Sequence, residues 1–277
     1  MWGVFWYPLR VFADYGLSGL WSSLLIYVGT LPALIYILRG RLHELSRAPG
    51  MLLLIALASG WCNTSFILAM LDGHVVRVLL LFYLSPVWTV ILAFIFLGER
   101  PHRYGYLTIV IAMLGAIIML WDMEMGFPFP QNTADWLALS SGIAFSITNV
   151  AVRHTQAVSV RVKTVMAWVG AVLIALLLIL VGDQSLAVTN DMVIVVALLF
   201  GLVFMVIMTL SVQYGVTHMP AHRSAVILLF EIVIGAISAY LLTAERLSMQ
   251  EWTGGALVIL AGWLSARIPH EQERYAS

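Results

Sequence analysis

The chain has 277 residues, of which 62% are apolar and 10% are charged, and its formal net charge is zero. Soluble domains have about 25% charged residues, so this composition excludes an ordinary soluble domain and indicates an all-α polytopic membrane protein. The basic residues form no block, which argues against nucleic-acid binding.

Ten apolar segments follow one another along the chain. A membrane-spanning helix needs about 20 mostly apolar residues, and every segment except the short first one meets that length. The longest connection, 122–132, contains Pro128 and Pro130 and separates the chain into two halves. The predicted helices cover about 2–14, 18–38, 50–71, 75–97, 103–121, 133–154, 161–182, 191–215, 221–243 and 249–268.

The basic residues are distributed unevenly between alternate loops. One set of loops contains eleven of them: Arg39, Arg41, Arg47, Arg100, Arg103, Arg153, Arg161, Lys163, Arg223, Arg267 and Arg274. The opposite loops contain only Arg77 and Arg246. The positive-inside rule therefore places both termini in the cytoplasm. An even number of spans is needed for that, which favours counting the short first helix.

A pair of apolar runs around Glu99-Arg100 recurs around Glu245-Arg246, 146 residues later. The recurrence predicts two five-helix repeats, residues 1–125 and 132–268, followed by a cytoplasmic tail at 269–277. Because five is odd, the second repeat enters the membrane in the opposite orientation. Such inverted repeats are typical of transporters, whose substrate site lies near the bilayer midplane.

These halves, each with a Gly/Ala-Glu-Arg turn followed by a glycine-containing apolar helix, resemble the EamA-type members of the drug/metabolite transporter (DMT) superfamily. The segment 83–90, YLSPVWTV, is similar to the YddG aromatic amino acid exporters of that superfamily. The resemblance implies a multi-pass protein of the bacterial inner membrane that exports amino acids, aromatic or other neutral ones, and similar metabolites by alternating access. At the equivalent positions of the second half, Glu231 and Ile232 replace Ser85 and Pro86, so residue roles cannot be copied between the halves.

Glu231 is the strongest candidate for a functional residue, because it lies about ten residues into a predicted span. A charged side chain at the bilayer centre costs at least about 2.5 kcal/mol and usually faces a cavity or a partner. Glu231 would then contact the amine of a substrate or couple transport to protons. The structural alternative is a protonated glutamic acid that is hydrogen-bonded to a neighbouring helix.

Three further candidates belong to the fourth predicted helix. Pro86 interrupts the backbone hydrogen bonds and predicts a hinge or a tolerated kink. Tyr83 shares its face of the helix, whereas Trp88 points elsewhere. Either aromatic residue would line the cavity for an aromatic substrate or would pack between helices.

The remaining candidates have strong structural alternatives. Lys163, the single lysine, would meet a substrate carboxylate from the cytoplasm or simply add to the positive-inside charge. Arg10 would bind a carboxylate near an outer gate, or would snorkel or pair with Asp14. Trp168 would line the cavity or would pack between helices.

Two polar positions complete the set of candidates. Asn149 places an amide inside the sixth predicted helix, where it would line the cavity or form hydrogen bonds between helices. Tyr214, in the eighth predicted helix, is a further candidate for lining the cavity.

The sequence predicts neither a cofactor nor a metal. The histidines have no metal-ligand spacing, and the chain has no phosphate-binding or dinucleotide-binding loop. The expected partners are a small-molecule substrate, the lipid bilayer and, if Glu231 titrates, protons. A carrier of nucleotide sugars or lipid-linked sugars is the rival hypothesis and would need Arg or Lys in the cavity. A membrane-embedded enzyme would need a polar cluster at one membrane face, which the sequence does not suggest.

Overall fold

A computed structural model describes residues 2–73, 75–101, 103–121, 130–182, 185–186, 191–242 and 248–267. Within these ranges the chain is helical and contains no strand. The predicted turn at Glu245-Arg246, most of the predicted joint and the predicted tail lie outside the described residues. Two short 3₁₀ turns, Trp2–Val4 and Leu42–Ser46, accompany the α-helices.

The α-helices match the predicted segments closely at most of their ends. In chain order they are α1 (Trp6–Asp14), α2 (Gly19–Gly29 and Leu31–Leu38), α3 (Pro49–Asp72), α4 (Val75–Phe82 and Ser85–Leu97), α5 (Arg103–Leu120), α6 (Thr133–His154), α7 (Val160–Val181), α8 (Met192–Phe200, a π-helical turn Gly201–Met205, and Val206–His218), α9 (Ala221–Leu228 and Phe230–Leu242) and α10 (Met249–Arg267).

Eight helices of the described chain, α2 to α9, are long and apolar enough to cross a membrane. The two others that were predicted as spans differ from them. α1 has 9 residues, which at 1.5 Å per residue gives a length of about 14 Å. α10 has 19 residues, but its first turn contains Gln250 and Glu251.

The structure divides several predicted continuous helices. In α2 the helix is interrupted at Thr30, just before Pro32, and in α4 at Tyr83 and Leu84, just before Pro86. A proline has no N–H to continue the hydrogen-bond ladder, which explains both positions. The break in α9 has no proline. There the N–H of Leu229 is shared between two carbonyls of the preceding turn.

Helix packing brings the two halves together along several contacts. α5 lies along α10, α3 lies between α6 and α7, α4 packs against α6, and the N-terminal turn packs against α9. Glycines permit the closest of these approaches. Gly60 of α3 faces Gly170 of α7, and a Cβ added at Gly170 would lie 2.7 Å from the Cα of Ala56.

An ion pair between α4 and α6 is buried within the helix bundle. The Arg77 Nε atom donates to Asp135 Oδ2 at 2.7 Å, and both side chains are almost completely buried. The same carboxylate oxygen accepts the backbone N–H of Gln131 at 2.8 Å. Removing one partner of a buried pair leaves an uncompensated charge, so this pair fixes α4 to the start of α6.

We expect Gly170→Ala to lower the free energy of unfolding by about 1–3 kcal/mol, because the added methyl group would overlap the backbone of α3. Thermal unfolding of the detergent-solubilised protein measures the change. Gly50→Ala is the matched control, since a Cβ at Gly50 meets no atom within 4 Å. Equal melting temperatures for the two variants would contradict the proposed close contact.

Candidate functional site

A pocket lies where α4, α6 and α9 meet. The space between its lining atoms, including its open ends, is about 280 Å³. Because this figure counts open solvent, it is an upper limit, and the enclosed room left for a solute is far smaller, so the pocket is nearly closed in the described conformation. The lining residues are Phe82, Tyr83, Ser85, Pro86, Thr89, Phe145, Ala225, Leu228, Leu229 and Glu231.

The breaks in α4 and α9 both face this pocket. Ser85 and Pro86 begin the second segment of α4, while Leu229 separates the two segments of α9. Backbone groups released by a break must find other partners inside a membrane. Beside the α4 break, the Ser146 hydroxyl of α6 donates to the Ser85 carbonyl oxygen at 2.8 Å, which holds α6 against the start of the second α4 segment.

Glu231 provides the charge in the pocket. Its side chain is partly buried, and no hydrogen bond or ion pair joins its carboxylate to any described residue. It interacts electrostatically with the N-terminal amine of the chain, with Tyr83 and with Cys62 of α3. Gly3 of the N-terminal turn packs against the backbone of α9 at this level, since a Cβ at Gly3 would lie 2.6 Å from the Glu231 carbonyl oxygen.

Aromatic rings form one wall of the pocket. The centroid of the Phe82 ring lies 5.2 Å from that of Tyr83 and 5.6 Å from that of Phe145. Phe66 stands behind Phe82 at 4.8 Å. Aromatic pairs at these separations stabilise one another, and their faces attract cations. The pocket therefore combines a carboxylate with an aromatic wall.

The sequence profile of the EamA-like transporter family matches two segments of the chain, residues 1–121 and 132–267. This chain belongs to the EamA-like transporter family. Its members are membrane transporters, so the described pocket is a candidate transport site in a multi-pass membrane protein.

Named relatives of this EamA-like protein match only part of it. Protein RarD of Salmonella typhi is 30% identical over 84 residues, which are 29% of this chain and 29% of that protein. Protein RarD of Escherichia coli K12 is 34% identical over 56 residues, which are 20% of this chain and 19% of that protein. The match thus spans less than a third of the length of the curated relatives.

A solved crystal structure resembles the protein over nearly its whole length. The TM-score is 0.72, the sequence identity is 18%, and the match covers 99% of this chain and 94% of the other. This similarity shows that the EamA-like chain shares the fold of that structure.

Three of the predicted site residues, Tyr83, Pro86 and Glu231, meet in the pocket. Sequence reasoning missed the other aromatic residues of its wall. For Phe145 a sequence signal existed, because residues 142–145 (GIAF), near the start of the second half, align weakly with residues 3–6 (GVFW) of the first half. Phe82 directly precedes the segment 83–90, which is similar to the aromatic amino acid exporters. Nothing in its position along the helix distinguishes it from an aromatic residue that packs between helices.

Lys163 lies away from the pocket and is completely buried. Its Nζ donates to the Val152 carbonyl oxygen at 2.9 Å and to Thr217 Oγ1 at 3.0 Å. The ammonium group thus joins the ends of α6 and α8 to the start of α7. Trp168, also fully buried, packs in a cluster that includes Val165 and Met205.

The other predicted residues are not brought to the pocket. Trp88 is partly buried on α4, outside the lining, and its Nε1 atom has no hydrogen-bond acceptor among the described residues. Asn149 is buried on α6 but does not line the pocket. Arg10 is exposed on α1. Tyr214 is 62% exposed, lies against the His218 ring at 4.1 Å and is outside the lining of this pocket.

Two carboxylates of the first half hold the beginnings of helices in the second half. Glu99 Oε2 accepts the backbone N–H of Ala221 at 2.9 Å, at the start of α9, and Glu99 Oε1 lies 3.0 Å from Arg153 Nε. Glu44 Oε2 accepts the N–H of Ser159 at 2.7 Å, before α7. Carboxylates are favoured at helix N-termini because the first N–H groups have no partner within the helix.

The pKa of Glu44 reflects these contacts. Burial by itself raises the pKa of this carboxyl group, but hydrogen bonds from Ser159 and the charge and hydrogen bond of Arg41 outweigh it and hold the pKa at about 2. Among the described residues, no group of three or more His, Cys, Asp or Glu side chains is placed to hold a metal ion.

We expect Glu44→Gln to reduce the loss of stability on acidification. The pKa of the folded state lies below the ordinary value of 4.5, so the ionised group stabilises the protein above that value and this contribution is lost as the pH falls towards 2. Thermal unfolding in detergent between about pH 6 and pH 3 measures the slope. Asp191→Asn, which alters an exposed carboxylate without a capping bond, is the control. Parallel pH profiles for Glu44→Gln and the unaltered protein would contradict the assignment.

Proposed function

We propose that this EamA-like protein is a secondary transporter that exports small, amine-bearing metabolites with an apolar or aromatic body. Aromatic and other neutral amino acids are the substrates implied by the sequence resemblance. The proposed route is alternating access through the pocket between α4, α6 and α9. The proposed location is the bacterial inner membrane; the curated RarD relatives are bacterial proteins.

The observation that carries the proposal is the Glu231 carboxylate beside the aromatic wall. A carboxylate at this depth is costly unless a cation or a proton compensates its charge. A substrate amine supplies a cation, and the rings of Phe82, Tyr83 and Phe145 supply apolar surface for the rest of the substrate. When no substrate is bound, a proton on Glu231 would remove the cost, which is the basis for proposing protons as the coupling ion.

The proposed architecture has ten spans in two inverted repeats, with both termini in the cytoplasm. α1 and α10 would join the eight helices that are long and apolar enough to span. The two segments that match the family profile nearly coincide with the predicted repeats, 1–125 and 132–268. The packing supports this arrangement, because the beginning of each half contacts the fourth helix of the other half. The N-terminal turn packs against α9, and α6 packs against α4.

The breaks in α4 and α9 supply the proposed moving parts. A helix whose hydrogen-bond ladder is interrupted can tilt on either side of the break. Pro86 and Leu229 place these breaks at the pocket itself, so the segments beyond them can move without disturbing the rest of the bundle.

Carriers of sugar phosphates are the second candidate within the superfamily, and the pocket argues against them. Phosphate groups are bound by Arg or Lys, and the described lining contains neither. A pocket with a single carboxylate would repel such substrates.

We expect Glu231→Gln to lower substrate affinity or transport by about 30-fold, since losing a buried charge partner costs about 2 kcal/mol or more. The measurement is uptake into proteoliposomes of labelled phenylalanine, tyrosine, tryptophan and phenethylamine, with and without a pH gradient. Transport should fall because the glutamine side chain keeps the shape of glutamate but can neither neutralise an amine nor carry a proton.

Asp191→Asn serves as the matched control, because it removes an exposed carboxylate at the start of α8. Unchanged kinetics in Glu231→Gln would remove this residue from the mechanism. Movement of a sugar phosphate, with no movement of any amine or amino acid, would overturn the proposed function.

A further inference from the structure

We infer that Glu99 holds the pocket closed at one end and must release its partners before the pocket opens on that side. This inference rests on the proposed function, because it assigns one of the two gates that alternating access requires. The gate lies where α4 and α6 end and α9 begins, which we refer to as the Glu99 end of the bundle. These are the three helices that line the pocket.

The carboxylate of Glu99 joins all three pocket helices. Glu99 itself follows the last turn of α4. Its Oε1 atom accepts a hydrogen bond from Arg153 Nε of α6 at 3.0 Å, and its Oε2 atom accepts the backbone N–H of Ala221, at the start of α9, at 2.9 Å. Hydrogen bonds to a charged group are stronger than those between neutral groups, so this one side chain binds the three helix ends to one another.

The turn after α4 fixes the position of this side chain. Gly98 ends the helix in the left-handed conformation, with a φ of +67°, which glycine adopts without the steric cost of a Cβ. The backbone N–H of Glu99 then donates to the Ala93 carbonyl oxygen at 3.3 Å. Glu99 is therefore attached to the end of α4 by its own backbone and moves with that helix.

A small apolar cluster lies between the pocket and Glu99. Each pocket helix contributes one buried residue to it: Ala93 from α4, Val150 from α6 and Ala221 from α9. Along α4, Ala93 lies between the pocket residue Thr89 and Glu99. The described conformation is thus closed at this end by apolar contact and, beyond that contact, by the hydrogen bonds of Glu99.

The segments that Glu99 joins are those that the helix breaks allow to tilt. In α4 the break precedes Ser85–Leu97, and in α9 the break follows Ala221–Leu228. Each segment therefore runs from a break beside the pocket to the Glu99 end. An interrupted hydrogen-bond ladder lets a helix bend at the interruption. Release of Glu99 would free the far ends of both segments, and their separation would open the pocket at this end.

The opposite partner of Glu99 belongs to a fixed support. Arg153 also donates through Nη1 to the Thr217 carbonyl oxygen of α8 at 2.9 Å. The buried Lys163 of α7 donates to Thr217 Oγ1 at 3.0 Å and to the Val152 carbonyl oxygen at 2.9 Å. These bonds tie the ends of α6 and α8 to the start of α7, so the bonds of Glu99 are the ones that separate when α4 and α9 tilt.

The experiment measures how fast a reagent reaches the pocket from the Glu99 end of the full chain. Cys62 is the only cysteine of the sequence, so Cys62→Ala gives a background without thiols and Ser85→Cys adds one thiol to the pocket lining. A membrane-impermeant methanethiosulfonate is added to right-side-out and to inside-out vesicles. In a separate protein, Ala157→Cys places a thiol at an exposed site after α6 and identifies the vesicles that present the Glu99 end.

We expect Glu99→Gln to raise the labelling rate of the pocket thiol from the Glu99 end by about tenfold, because it removes the charge that strengthens both bonds. Glu99→Ala should raise the rate further. Glutamine still offers an oxygen to the N–H of Ala221, whereas alanine accepts neither bond. Labelling from the opposite end should not increase, since the change favours opening on one side only.

Glu44→Gln is the matched control for a loss of stability. Glu44 also accepts an N–H at the start of a second-half helix and pairs with an arginine, Arg41, but that helix, α7, does not line the pocket. Its melting temperature should change while the labelling rate of the pocket thiol stays that of the unaltered protein. An equal rise in Glu44→Gln, or no rise in Glu99→Ala, would overturn the inference.

Uptake of labelled phenylalanine and phenethylamine by the unaltered protein tests the proposed function separately. Uptake together with labelling that does not respond to Glu99 would overturn only the assignment of the gate. Absence of uptake of any amine or amino acid would overturn the proposed function itself.

Discussion

Inside a bilayer every backbone polar group needs a partner within the protein, and this requirement shapes the pocket. Among the interrupted helices, α4 and α9 have their interruptions facing the same space. At the interruption in α4, the Ser146 hydroxyl of α6 donates to the carbonyl oxygen of Ser85 and so joins the two helices there. Residues at both breaks line the pocket, so the breaks and the pocket coincide in the fold.

The rest of the bundle holds these broken helices in place. Gly170 allows α7 to approach α3 closely, and the Arg77–Asp135 pair fixes the first segment of α4 to α6. At the predicted cytoplasmic side, Glu44 and Glu99 of the first half each accept an N–H at the start of a second-half helix. The two halves are therefore joined by polar contacts at helix ends and by apolar packing between them.

Much of this arrangement could be predicted from the sequence. Long apolar runs must become helices in a bilayer, which is why the ends of α3 and α6 were predicted to within a residue or two. Glu231 was identified because an isolated carboxylate in such a run is costly wherever the helix packs. Pro86 was identified because a proline interrupts any helix. These three inferences depend on local chemistry alone.

Other features depended on neighbours distant in the chain. The sequence placed Lys163 near a membrane face, but only the fold showed that Val152 and Thr217 occupy its ammonium group. Phe145 and Trp168 are both aromatic residues in apolar helices, and only packing decided that the first lines the pocket and the second fills a core. The sequence by itself determined the helices and the cost of the buried carboxylate, because these follow from residue type and bilayer thickness. Only the tertiary structure decided which side chains surround that carboxylate, because helix rotation and contact are set by packing against other helices.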